Sequence, residues 1–467
     1  MVNFIVILIL YCYVNGSLGS SNEENPINDI LPEDGRFNFT QLARKYGHHA
    51  MEYKVTTKDG YILGLFRIRG KYRRKKNKLP VLLMHGIADS SDAWLLRGNF
   101  SLGITLANSG YDLWFGNIRG NKYSRNHVRL NPDKDVQFWD FSFHENGYYD
   151  LPAIIDRVLN ETGFKKLNAI GFSQGNTIFY VLCSTRPEYN SKINVMMALA
   201  PILANDNSLF NTYEKIICTL PQLGYDICVK KIMFPFTGHD SEELEPSFLS
   251  VLVGHFPTST ALKTLYHFAQ VGYRRIFGQF NYGNAGNLEN YNSTIPPVYD
   301  LNLITTKIVL YVCLNDKIST VDDVKILRSK LPNVVRYIVS PRWLCNHIDH
   351  VWGKHIEVVN RIVKNVWKCQ YLAICHVFFL FILTQLLDST SNSDNRILHC
   401  LNPLVVLSFL DKTLRPNKLV QLNYLFSFNR LYFISYRSRR ICLKNNCVFC
   451  RLVFRIQSFR SSLLVSI

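Results

Sequence analysis

Cysteine is too thinly spread in this chain to staple a small scaffold. Of twelve cysteines, Cys12 lies in the N-terminal apolar run and six lie beyond residue 367, leaving Cys183, Cys218, Cys228, Cys313 and Cys345 for the body. That excludes a disulfide-dense fold. Cys218 and Cys228 bracket a short segment with Pro221 and Gly224, a spacing that suits one local bridge in an oxidising compartment. Cys447 and Cys450 form a lone pair with no second at zinc-site spacing, a weak metal signal, and no cofactor is expected. Long apolar runs are also few. Phe4–Val14 is too short to favour a spanning helix, and Tyr371–Leu387 is just long enough for one. No internal repeat appears.

Acidic residues are under-represented, giving a formal net charge of +18. More than half of that excess falls in residues 368–467, which hold thirteen Lys or Arg against three Asp and lack Glu, Gly, Met and Trp. An ordinary domain of that length carries roughly seven glycines. The tail therefore reads as an extension beyond the domain's natural end, and the charge does not call for a nucleic-acid partner.

What is present is a globular composition, 47% apolar and 13% aromatic. The first 19 residues read as a secretory signal peptide, with small residues after the apolar run. Sequons at Asn38, Asn99, Asn160 and Asn292 fit that route and mark candidate glycosylation sites.

From Glu52 to Arg69 the pattern predicts a hairpin around Lys58-Asp59-Gly60. The basic run Lys71–Lys78 follows as a solvated connection. Leu79–Met84 and Leu167–Ile170 are short apolar runs of the buried-strand type, and Tyr111–Phe115, Lys307–Val312 and Val334–Val339 read as further strands. Helical patterns at Asp92–Ser109, Tyr149–Glu161 and Val321–Lys330 alternate with them, which implies an α/β fold with a mostly parallel sheet and helices on both faces. From Asn205 to Pro297 the alternation lapses, as an insertion would make it.

Gly171-Phe172-Ser173-Gln174-Gly175 joins a predicted strand to a predicted helix, the setting of a nucleophile elbow. The flanking glycines spare a strained turn from collision. The Gln174 amide at the helix start can donate to an oxyanion, and Ile87, after His85-Gly86 at an earlier strand end, supplies a second amide. A serine nucleophile needs a base, and the base an orienting carboxylate, in the chain order Ser, acid, His. Asp316 and His347 both lie in strand-end loops. Asp322, Asp323, His350 and His355 compete with them.

The sequence resembles the acid lipase family of gastric and lysosomal lipases over about residues 26–366. The motifs are LLMHGIADSSDAW, YDLWFGNIRGNKYSRNH, FWDFSFHENGYYDLPAIID, IGFSQGN, LPNVVRYIV and NHIDHVWG. The resemblance implies an α/β-hydrolase domain over 20–367 with a cap at about 205–295. It implies Ser173 as nucleophile, Asp316 as acid, His347 as base, and Ile87 and Gln174 as oxyanion donors. It further implies metal-free cleavage of neutral lipid esters, triglyceride or cholesteryl ester, at a lipid–water interface. Phe172 replaces the family's usual His, Ile87 its usual Leu, and the loop ahead of His347 is about two residues longer. Secretion is expected, with lysosomal delivery or membrane anchoring through 371–387 as alternatives, and membrane contact through the cap or that segment. The rival reading is a lipid-binding or storage protein on an inactive hydrolase scaffold.

Overall fold

In the computed structural model, residues 31–70, 78–202, 222, 225–357, 359–361 and 363 are described. All belong to a unit ending at Trp367, and the unit from Lys368 to Ile467 lies outside the description. Outside it as well lie the expected signal peptide, the basic run 71–77, Cys218, the apolar segment 371–387 and part of the expected cap. No helix among the described residues is long and apolar enough to cross a membrane.

Side-chain alternation along the strands builds two cores, one on each face of a single sheet. Eight strands form it: β1 (Ala50–Thr56), β2 (Ile62–Arg69), β3 (Val81–Met84), β4 (Asp112–Gly116), β5 (Leu167–Phe172), β6 (Ile193–Leu199), β7 (Ile308–Val312) and β8 (Val334–Val339). Val81 and Leu83 face one core with Leu113, Phe115 and Ile170. Leu82 and Met84 face the other with Trp114, Leu167 and Ala169. β3, β5 and β7 are buried along their whole length, as strands covered on both faces must be.

The strand order is β1-β2-β4-β3-β5-β6-β7-β8. β2 pairs antiparallel with β1 and β4, and every pairing from β4 to β8 is parallel. Helices Leu151–Thr162 and Gln174–Thr185 cover one face, and Phe39–Lys45 and Leu102–Asn108 the other. The expected helix over Asp92–Ser109 is broken into turns at Ser91–Trp94 and Gly98–Phe100 before Leu102–Asn108. Gly98 sits at φ +57 and would collide with the Tyr46 ring if it carried a Cβ, and Ser101 then caps a fresh helix through the Ile104 N–H.

Between β6 and β7 the described residues form no strand. They include helices Pro246–Val253, Leu262–Arg274 and Gly283–Tyr291. The loops after β3, β5, β7 and β8 carry Ile87, Ser173, Asp316 and His347, so four separate strands deliver the candidate residues to the carboxyl edge of the parallel sheet.

Candidate active site

Ser173 joins β5 to the helix Gln174–Thr185 at φ +53 and ψ −120, a conformation that only a closely packed surround will hold. That packing accounts for both flanking glycines. A Cβ on Gly175 would lie 2.3 Å from the Met84 carbonyl, and one on Gly171 would lie 2.5 Å from Asn176 Oδ1. The elbow is thus pressed against the end of β3.

His347 Nε2 lies 3.0 Å from Ser173 Oγ, while its Nδ1 lies 2.9 and 3.2 Å from the two Asp316 oxygens. With the proton on Nδ1 the ring donates to Asp316 and accepts from the serine hydroxyl. All three residues are buried. Asp316 Oδ1 also accepts the N–H groups of Ile318 and Ser319. Burial by itself would raise the Asp316 pKa. The charge and hydrogen bond of His347 outweigh it, and Asp316 stays below the ordinary carboxylate range.

The competing candidates lie elsewhere. Asp322 and Asp323 occupy the first turn of the helix Val321–Lys330, where Thr320 caps it and Lys325 pairs with Asp322. His355 pairs with Glu243. His350 is fully buried, and neither ring nitrogen has a hydrogen-bond partner.

Gln174 opens its helix, so its N–H is among the first-turn donors that a helix leaves unpaired. Ile87 follows Gly86, whose Cβ position would be 3.1 Å from the Phe172 ring and 3.4 Å from Ser173 Cβ. The loop bearing Ile87 therefore passes close over Ser173. It is held there by groups that sequence reasoning passed over. His85 Nδ1 donates to Gly86 O at 2.7 Å, and its Nε2 accepts from Asn121 Nδ2 at 3.1 Å. Burial keeps His85 neutral, with its pKa pushed down to about 4. Asn117 Oδ1 accepts from the Ser91 N–H and from Asn121, and Thr258 of the β6–β7 insertion donates to Ala88 O and Asp89 O. Asn117 and Asn121 lie at the head of a polar stretch, where nothing in the local pattern marks them as buried.

A disulfide between Cys313 and Cys345, Cα atoms 5.0 Å apart, was also not foreseen. It links the end of β7 to the loop after β8, three residues before Asp316 and two before His347. The two cysteines are 32 residues apart, and only the β7–β8 pairing brings them together. Cys228 is disulfide-bonded as well; its expected partner Cys218 is outside the described residues.

A family model described as the partial alpha/beta-hydrolase lipase region matches residues 39–98, and one described as the alpha/beta hydrolase fold matches residues 80–227. The chain is 37% identical over 347 residues to Lipase 1 of Drosophila melanogaster, covering 69% of this chain and 77% of that protein. It is 34% identical to gastric triacylglycerol lipase of Mus musculus, covering 75% and 94%. To lysosomal acid lipase/cholesteryl ester hydrolase of Macaca fascicularis it is 31% identical, covering 78% and 98%. The chain belongs to the lipase family of α/β-hydrolases. As a member of that family it is a carboxylic ester hydrolase, and the serine, histidine and aspartate described above lie where the strand ends of this lipase fold converge.

Proposed function

We propose that this lipase-family chain is a secreted enzyme that hydrolyses neutral lipid esters through an acyl-enzyme on Ser173. The observation that carries the reading is the continuous Ser173–His347–Asp316 hydrogen-bond chain. Ser173 Oγ attacks the ester carbonyl as His347 Nε2 takes its proton. Asp316 holds the ring by Nδ1 and stabilises the imidazolium that forms. The N–H groups of Ile87 and Gln174 receive the charge that develops on the carbonyl oxygen. His347 then returns the proton to the departing alcohol. Water, deprotonated by the same imidazole, releases the fatty acid and restores Ser173.

The β6–β7 insertion acts as the cap over this centre and meets the lipid–water interface, with triglyceride and cholesteryl ester as the substrate classes that the relatives' names suggest. Exposure of Asn38, Asn99, Asn160 and Asn292 supports glycosylation along a secretory route, with residues 1–19 as the signal peptide and the lysosome as the alternative destination. Cys218 is the proposed partner of Cys228.

An ester panel from short-chain to cholesteryl substrates, assayed on wild type and Ser173→Ala, tests the reading. Wild type is expected to cleave long-chain neutral esters, and Ser173→Ala to lose at least about 10³-fold in turnover. Undiminished turnover in a folded Ser173→Ala protein would remove the serine mechanism.

A further inference from the structure

Three consecutive carbonyls of the β6–β7 insertion grip the loops that carry Asp316 and His347. Thr237 O accepts the His347 N–H at 3.1 Å, Gly238 O accepts Asn346 Nδ2 at 3.0 Å, and His239 O accepts Asn315 Nδ2 at 2.8 Å. Each asparagine immediately precedes a member of the hydrogen-bonded chain. The fit is close enough to demand glycine: Gly238 has φ +104, and a Cβ there would lie 2.0 Å from Asn315 O and 2.9 Å from Asn346 Cβ.

Asn346 is fully buried and uses its amide in both directions. While Nδ2 reaches Gly238, Oδ1 accepts the N–H groups of Ile348 and Asp349, and the Asn346 N–H donates to Asp349 Oδ2. Asn315 closes the frame from the other loop, through its N–H to Cys345 O and its Nδ2 to Leu344 O, beside the Cys313–Cys345 disulfide.

We propose that Asn346, with Asn315 as its counterpart, is a positioning residue: it ties the Thr237–His239 strap of the insertion to the loop of His347 and so sets the imidazole against Ser173. This rests on the serine mechanism proposed above. Asn346 touches none of the reacting atoms. Its effect comes through the backbone of the next residue, where a displacement of about 1 Å costs on the order of 10²-fold in rate. The insertion therefore serves as part of the frame of the base as well as a cover.

Asn346→Asp separates positioning from folding. The introduced carboxylate keeps the acceptor for Ile348 and Asp349 but cannot donate to Gly238 O, whereas its protonated form can. The charged and titratable groups around this loop are Asp349, which feels Asp240, Glu243 and Arg342, and His350, which feels Asp316 and His347; His239 O meets Asn315. With a soluble short-chain ester at neutral pH, turnover relative to wild type is expected to fall about 10- to 100-fold with KM within about threefold. That ratio should recover towards one as the pH is lowered. Asn346→Ala should show the loss without the recovery. Asn315→Asp, at a partly exposed position, should lower turnover in the same sense by about 3- to 10-fold and serves if the buried variants do not fold. Ser173→Ala run in parallel reports on the mechanism itself: retained activity there would overturn the underlying reading. With Ser173→Ala inactive, wild-type turnover in folded Asn346→Asp or Asn315→Asp would overturn the positioning role, as would an equal loss in Asn346→Asp and Asn346→Ala at every pH.

Discussion

His347 and His350 lie three residues apart in opposite electrostatic settings. His347 has a hydrogen-bond partner on each ring nitrogen. His350 has none, and packs beside the Phe172 and Tyr311 rings at centroid distances of 6.3 and 5.2 Å. Burial pushes its pKa down to about 3 against the pull of Asp316, with His347 adding to the fall. A ring held neutral and out of reach of Ser173 has no path to the serine proton. His347→Ala is therefore expected to lose at least about 10³-fold in turnover on a soluble short-chain ester, while His350→Ala stays within about tenfold of wild type. Turnover numbers on both variants, each shown to be folded by circular dichroism, check the ranking. The reverse order would transfer the role of base to His350. Phe172, which stands where the family usually has His, packs against His347 with ring centroids 5.3 Å apart and fills the space that Gly86 leaves open.

Elements adjacent in the sheet are joined a second time at their ends. The β7 and β8 ladder sets the spacing of the loops bearing Asp316 and His347, and Cys313–Cys345 crosslinks those loops just above it. Closing a loop of that length removes about 3–4 kcal/mol of chain entropy from the unfolded state. Replacing both cysteines by alanine should lower the unfolding free energy by about 3 kcal/mol, seen as a lower denaturant midpoint with an altered m-value. An unchanged midpoint would show that the ladder alone holds the loops. β3 was legible from its unbroken apolar run, because a strand covered on both faces requires one; β8, broken by the exposed Arg336 and only partly buried, was read as a strand without such a run, and β6 was not read as a strand. The region after β3 was not legible. Its apolar spacing suits one helix, but contact between Gly98 and the Tyr46 ring, made by a distant segment, divides it.

Across the whole molecule, buried ionisable groups pull stability in opposite directions with pH. Burial lowers the pKa of His85 to about 4, and of His267 and His350 to about 3. The unfolded chain therefore takes up these protons near pH 6.5 while the folded chain does not, and stability falls as the pH drops through that window. Asp89 and Asp349 are shifted the other way, raised by burial well above their ordinary value. They favour the folded state in acid and cost stability as the pH rises past the usual carboxylate pKa. Comparing unfolding free energies at pH 4 and pH 7 separates the two sets. His350→Leu should improve the pH 4 value relative to pH 7 by about 3 kcal/mol over wild type, since each pKa unit is worth about 1.4 kcal/mol. Asp349→Asn should shift the balance towards pH 7. A shift of the same sign in both variants would contradict these assignments.

Local pattern alone was enough to place Ser173, because a strained strand-to-helix turn needs small residues at fixed offsets, and Gly171 and Gly175 supply them. It was enough too for the parallel strands other than β6 (Ile193–Leu199), which no local pattern picked out, and for the strand-end loops that hold Asp316 and His347. What it left open was the choice among neighbouring acids and histidines, since Asp316 against Asp322 and His347 against His350 differ only in what faces them across the sheet. The pairing of Cys313 with Cys345, the asparagine brace beneath the Ile87 loop and the grip of Thr237–His239 on both loops were decided by tertiary structure alone. Each joins residues far apart in the chain, and periodicity reports which way a side chain faces, not which distant group it meets.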